Sequence, residues 1–202
     1  MAEFHFTTPI TKEDVQKVKI GDIIYISGTV FTARDEAHER ALHMAKKGEQ
    51  MPFDFQNLAV YHCGPVVRKN ANNEWEIVAA GPTTSTRMDI FEDEFIETFN
   101  VNVIIGKGGM GDRTAKAMKE LKAIYTAFVG GAAVVAAKGI KRVKDVHWLD
   151  LGTPECLWVL DVEKFGPLIV GIDTNGDSLF RNVADQAQAN LPKIGEFLGV
   201  TF

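Results

Sequence analysis

With 202 residues, 46% of them hydrophobic and 24% charged, the chain carries enough apolar content for a buried core, and its length is that of one domain. A formal net charge of -5 provides no cationic footprint for a phosphate backbone, which excludes nucleic acid as the expected partner. No stretch reaches the roughly 18 to 20 apolar residues of a membrane span, and the start MAEFHFTTPI has no basic segment before an apolar run, so the expected location is the cytoplasm. Two cysteines, Cys63 and Cys156, are too few for a disulfide framework or paired CxxC knuckles. Both are expected to be reduced and buried, and no metal ligand set is expected from this chain.

Residues 22–30 (DIIYISGTV) have strand composition and lead into helical spacing over 34–48, where Ala37, Ala41, Met44 and Ala45 share a face and Gly48 is a natural stop. LAVYHC (58–63) reads as a buried strand. Val66 and Val67 are expected to pair with 75–80 across the polar turn NANN, which makes the sheet mixed. Past Gly81 and Pro82 a polar loop precedes a helix over 88–100, with Ile90 or Phe91, Phe95 and Phe99 at helical intervals. Short apolar strands then alternate with helices: VNVII, a helix over 112–122, IYTAFV, and a helix over 132–138. CLWVLDV and LIVGI predict two more strands separated by a turn at EKFGP, and a C-terminal helix over 179–191 is expected to end at Pro192. Lys138, Lys141, Arg142 and Lys144 read as a solvated face. His5 and His62 lie in strand-like runs without a companion at metal spacing, and His147, Trp148, Trp158 and Phe165 suit core or interface.

Three loops at strand-to-helix junctions collect the chemistry-bearing residues, the place where open α/β folds bind ligands. In TARDEAH (32–38), Arg34 and His38 are four apart, so a helix beginning at Arg34 lets both face one small ligand; solvation is the ordinary fate of such a pair. GPTTSTR (81–87) sets three threonines and a serine beside Arg87. Helix capping accounts for one or two of those hydroxyls, and the rest suit a carboxylate held by a guanidinium fork. IGKGGMGD (105–112) has GxGxxG spacing, yet the next strand ends in Gly130 and Gly131 where a dinucleotide site needs a carboxylate. A Gly-rich turn with Lys107 as a point charge fits a small carboxylate better than a nucleotide. A stand-alone nucleotide-binding module built on GKGGMG is the alternative from another class.

The segments FTTPITKED, SGTVFTARDEAH, YHCGPVVRKN, GPTTSTRMDIFEDEFIE, VIIGKGGMGD, DVHWLDLGTPECLWVL and FGPLIVGIDTNGDSL closely resemble the C-terminal half of class I fumarases, and still more the separate small (beta) subunit of two-chain fumarases and L(+)-tartrate dehydratases. The resemblance covers almost the whole chain. It implies an α/β fold in a single domain, of the three-layer β/β/α swivelling type with a mixed sheet. It also implies reversible hydration of a small dicarboxylate, fumarate to (S)-malate or the corresponding step on tartrate, with a [4Fe-4S] cluster whose open iron is a Lewis acid. The cluster's cysteines belong to the other subunit, so the resemblance predicts a cluster-bearing alpha subunit as obligate partner, in a heterotetramer. Carried over position by position, the substrate-binding residues are Arg34, Thr83, Arg87 and Lys107, and the histidine of the RDxxH motif is His38. Two residues compete as catalytic base, Thr83 and His38. The threonine relies on nearby cations to lower its pKa, whereas the histidine has the better intrinsic value.

Overall fold

The computed structural model of the chain describes residues 1–131 and 133–200. Five strands run parallel in the spatial order β1 (Glu3–Thr7), β2 (Ile23–Thr32), β3 (Ala59–Tyr61), β6 (Val103–Gly106) and β7 (Ile124–Ala127). β9 (Leu157–Ile172) lies antiparallel to β7 and also to β2, so β2, β3, β6, β7 and β9 close into a ring. β8 (Ile140–His147) joins the free side of β9, and β4 (Val66–Lys69) with β5 (Trp75–Ala79) makes a separate hairpin. The helices are α1 (Lys12–Val15), α2 (Asp35–Lys46), α3 (Asp89–Phe99), α4 (Asp112–Leu121), α5 (Ala133–Gly139) and α6 (Leu179–Leu198). Among the described residues no helix is long and apolar enough to cross a membrane.

Period-2 alternation of the strands divides the core in two. Ile24, Ile26, Val30, Tyr61, Ile105, Leu160 and Val170 point into the ring, and Trp75 and Ile77 of the hairpin and Val143 and Val146 of β8 pack on the same cluster. Phe31, Val60, Ile104, Tyr125 and Val159 point the other way, onto Ala37 and Ala41 of α2, Phe95 and Ile96 of α3, and Met118 of α4. Strands covered on both faces explain why Val103, Ile104 and Ile105 form an unbroken buried run instead of alternating. The order helices, parallel strands, then antiparallel β8 and β9 with the hairpin gives the α/β, mixed-sheet, β/β/α architecture; the closure of the ring was not legible in the sequence.

Several elements depart from the sequence reading. EKFGP is no turn, since β9 runs straight through it and stays paired to β2 at Phe165 with Ile26 and Leu168 with Ile24. Register shifts on either side of Ile26, with Lys164 at φ 47°, absorb the glycine and proline. Lys138, Lys141, Arg142 and Lys144 are all exposed, as expected of a solvated face, but 140–147 is strand β8, whose apolar residues recur every third position (Ile140, Val143, Val146) because two bulges interrupt its pairing with β9. α6 continues past Pro192 to Leu198; Gln188, whose carbonyl loses its intrahelical partner there, is exposed and can turn to water. β1 and α1 were not anticipated. The helix expected over 132–138 is α5, though Ala132 lies outside the described residues.

Leu160 is fully buried and pairs with Val30 on one side and Val143 on the other, so it joins the ring to the outer strand. Leu160→Ala is expected to cost about 2 to 5 kcal/mol, read as a lower urea midpoint at unchanged m-value.

Candidate functional site

Because β2, β3, β6 and β7 are parallel neighbours, the segments 32–38, 62–64, 106–108 and 128–130 all leave the sheet at one edge, beyond the carboxyl ends of the strands. The 81–87 loop is fastened to that edge. Thr83 N–H donates to the carbonyl of His62 (2.7 Å) and Ser85 N–H to the carbonyl of Lys107 (2.9 Å), while Thr84 forms an isolated parallel bridge with Lys107. Arg87 closes the remaining gap, its Nη2 lying 3.0 Å from Oδ2 of Asp35, next to Arg34. All three loops singled out in the sequence therefore meet.

The cations at this edge are held in different ways. Arg34 is mostly buried and pairs with Glu155 (Nη2 to Oε1, 2.9 Å), with Gly64 so close that an added Cβ there would sit 2.9 Å from Nη1. Arg87 is half exposed and paired with Asp35. Lys107 is exposed and forms no ion pair with any described residue; its side chain lies along Gly130, where a Cβ would come 2.7 Å from Cδ. Two of the three cations are thus paired with carboxylates, and Lys107 has none among the described residues. Thr83 is partly exposed, and its hydroxyl makes no hydrogen bond to a described residue.

Arg34 and His38 do not share a face. The helix begins at Asp35, and Arg34 is its N-cap in extended conformation (φ -119°, ψ -162°), so its guanidinium turns toward Glu155. His38 is fully buried among Phe91 and Phe95. What they share is a hydrogen bond between Nδ1 of His38 and the Arg34 carbonyl, 2.8 Å. Neither Ser85 nor Thr86 is a helix cap: Ser85 Oγ points inward, and Thr86 donates to the carbonyl of Gly109 (3.0 Å).

The Gly-rich turn is occupied by the protein's own groups. A Cβ on Gly106 would meet Ser85 Oγ at 1.8 Å, and one on Gly109 would meet the Phe180 ring at 2.8 Å. Asp89 accepts the Gly111 N–H (2.9 Å) at the start of α4, where a phosphate would have to sit. This arrangement speaks against the nucleotide-binding alternative. A cleft of about 740 Å³ does exist, but it lies between the hairpin and β8, lined by Trp75, Ile77 and Val143, and includes none of Arg34, Thr83, Arg87 or Lys107.

Beneath the three loops, sequence reasoning missed a cluster. His38, His62 and Glu92 are fully buried, with Nε2 of His62 at 3.0 Å and Nε2 of His38 at 3.6 Å from Oε2 of Glu92. Both Nε2 atoms and both carboxylate oxygens lack a well-aligned hydrogen bond. Their ligand atoms lie within 4.8 Å of one another, the donor set a divalent cation could take. Burial pushes the Glu92 carboxyl up, but the facing His62 and then His38 more than offset this, so its pKa stays below the ordinary value. Burial lowers the pKa of His38 despite the opposing Glu92, keeping it neutral. One signal was available: Glu92 lies four residues after Met88 and three before Phe95, on the buried stripe of α3.

The family model described as fumarase C-terminus matches residues 1–183. The chain is similar to the L(+)-tartrate dehydratase subunit beta of Escherichia coli (strain K12), 47% identical over 173 residues that span 86% of this chain and 84% of that protein. It is 43% identical over 192 residues to a putative L(+)-tartrate dehydratase subunit beta of Methanocaldococcus jannaschii, covering 95% of this chain and 96% of the relative. A putative fumarate hydratase class I of Geobacillus stearothermophilus is 37% identical over 189 residues, 94% of this chain but 35% of that longer protein.

Both cysteines are buried in the described structure. Both side chains are packed into the ring core, and burial pushes the thiol of Cys63 up to about 12 and that of Cys156 up to about 11. Thiols raised this far stay protonated at pH 8, where a disulfide reagent finds little thiolate. Ellman's reagent at pH 8 is expected to titrate neither cysteine in the folded chain and both in guanidinium; prompt reaction of either native thiol would contradict their placement.

Proposed function

The chain belongs to the fumarase C-terminus family, and on that premise we propose that it is the beta subunit of a [4Fe-4S]-dependent hydro-lyase, contributing the cationic half of a dicarboxylate site. The observation that carries the reading is the convergence of Arg34, Arg87 and Lys107 at one sheet edge beside the free hydroxyl of Thr83. Two carboxylates of a four-carbon diacid match separated cations, each charge-assisted hydrogen bond contributing roughly 1.5 to 3 kcal/mol. The cations fix the register of the diacid and stabilise the charge that develops when the proton alpha to a carboxylate leaves.

We assign the proton transfer to Thr83, which is partly exposed and whose hydroxyl bonds to no described residue. His38 has no exposed atom with which to reach a substrate and instead holds the Arg34 carbonyl, so it is read as a positioning residue. The iron-sulfur cluster is assigned to a cluster-bearing alpha subunit, in a heterotetramer, since this chain has two cysteines and both are buried. Val129, Val134 and Val135 are exposed close in sequence to Gly130, against which Lys107 lies, and such apolar side chains suit contact with that partner. Reversible hydration of fumarate to (S)-malate is the first reading of the reaction. Dehydration of L(+)-tartrate is the second, favoured by the name of the relative at 47% identity.

Co-production with the alpha subunit under anaerobic conditions, followed by the loss of fumarate absorbance and by tartrate turnover, tests both substrates, and the larger kcat/KM selects between them. Absence of turnover of either diacid with an intact cluster sinks the assignment. In the same complex Arg87→Ala and Lys107→Ala are each expected to lower kcat/KM by roughly ten- to a hundredfold. Unchanged values would reduce this chain to a scaffold.

A further inference from the structure

Glu92, His62 and Ser85 have no part in the reaction as assigned so far, yet all three are fully buried directly beneath it. The backbone N–H of Lys107 donates to Ser85 Oγ (3.2 Å), and Ser85 Oγ lies 3.0 Å from Nδ1 of His62. His62 Nε2 is 3.0 Å from Glu92 Oε2, and the His62 carbonyl accepts the N–H of Thr83. On the other side of the carboxylate, His38 leads to the carbonyl of Arg34. A single buried carboxylate thus leads through His62 to the backbone of the 81–87 and 105–112 loops, and it lies beside the His38 ring that holds the 32–38 loop.

The proton positions follow from the partners. The Arg34 carbonyl only accepts, so Nδ1 of His38 carries hydrogen and its neutral ring leaves Nε2 bare. Nε2 of His62 faces a carboxylate and carries hydrogen, because a lone pair there would be repelled. Ser85 then donates to Nδ1 of His62, or accepts from it when the ring is charged, and in both states Oγ still receives the Lys107 N–H. Tyr125, with its hydroxyl 3.2 Å from Ser85 Oγ and 3.0 Å from the Gly108 carbonyl, ties in the rest of the Gly-rich turn.

Two other uses of this array fail. Glu92, His62 and Ser85 have the order of an acid, base and nucleophile, but Ser85 is sealed against Gly106, where even a Cβ would collide with Oγ, so no acyl group can reach it. As a structural metal site the cluster offers three side-chain ligands where zinc takes four. We propose that Glu92, acting through His62 and Ser85, is a positioning residue that holds Lys107 and Thr83 in register for the substrate. This rests on the hydro-lyase reading above.

The test is a double-mutant cycle in the alpha-beta complex with Glu92→Gln and Ser85→Ala. Glutamine keeps the shape and leaves neutral His62 with an acceptor, so no unpaired buried charge arises. Each single variant is expected to lower kcat/KM about tenfold, and the double variant by about the same factor, because both interrupt one chain of contacts. Losses that multiply to about a hundredfold, or a Glu92→Gln enzyme within about twofold of the parent, would overturn the proposal. So would roughly one metal ion per chain that disappears in Glu92→Gln. In the beta chain alone, Glu92→Gln is expected to speed exchange of the Lys107 amide about fivefold or more, whereas unchanged exchange refutes the linkage. That readout needs no turnover, so a parental complex inactive on every diacid would count against the hydro-lyase reading, not against this one.

Discussion

A carboxylate buried away from water needs a positive or hydrogen-bonding partner, and Glu92 has His62, whose Nε2 lies 3.0 Å from Oε2, with the neutral ring of His38 packed beside the pair. His62 stands just past the end of β3 and His38 in the first turns of α2. Satisfying that one group fixes where α3 lies against the strand ends, and the loops that spring from those points inherit the placement. Through His62 and Ser85 that carboxylate joins the core to the edge where Arg34, Thr83, Arg87 and Lys107 gather.

The edge also shows a division of labour among its cations. Arg34 and Arg87 are steered by Glu155 and Asp35 before any ligand arrives, which lowers the entropy lost on binding a planar carboxylate, while Lys107 remains free to follow a charge. The neighbouring glycines serve close packing. Gly64 admits the Arg34 side chain, Gly106 admits Ser85, and Gly130 admits Lys107. Asp89 at the head of α4 takes the position where a phosphate would otherwise be drawn, so a motif with nucleotide spacing is committed to internal support.

Most of this edge was legible in the sequence because its residues are concentrated in three short loops next to apolar strands, and local composition is enough to find such loops. Strand β8 escaped for a physical reason: its bulges move the apolar residues to every third position and disguise the period of a strand. β9 escaped because Gly166 and Pro167 signal a turn, whereas pairing to β2 on both sides of them keeps the chain extended. His62 and Glu92 are thirty positions apart, one in a strand-like run and the other in the acidic stretch FEDEFIE, which reads as solvent-facing unless its phase against Met88 and Phe95 is noticed. Their meeting is a product of tertiary structure, as is the parting of Arg34 from His38 once the helix starts one residue later than expected.

The most direct measurement is the crystal structure of the alpha-beta complex with succinate, a four-carbon diacid that has no double bond to hydrate. The account predicts a succinate carboxylate within hydrogen-bonding distance of Lys107 Nζ, an Arg34 or Arg87 guanidinium nearby, and Thr83 Oγ1 facing the diacid's central carbons. Succinate bound wholly by alpha-subunit residues, with Lys107 and both arginines turned away from it, would contradict the account.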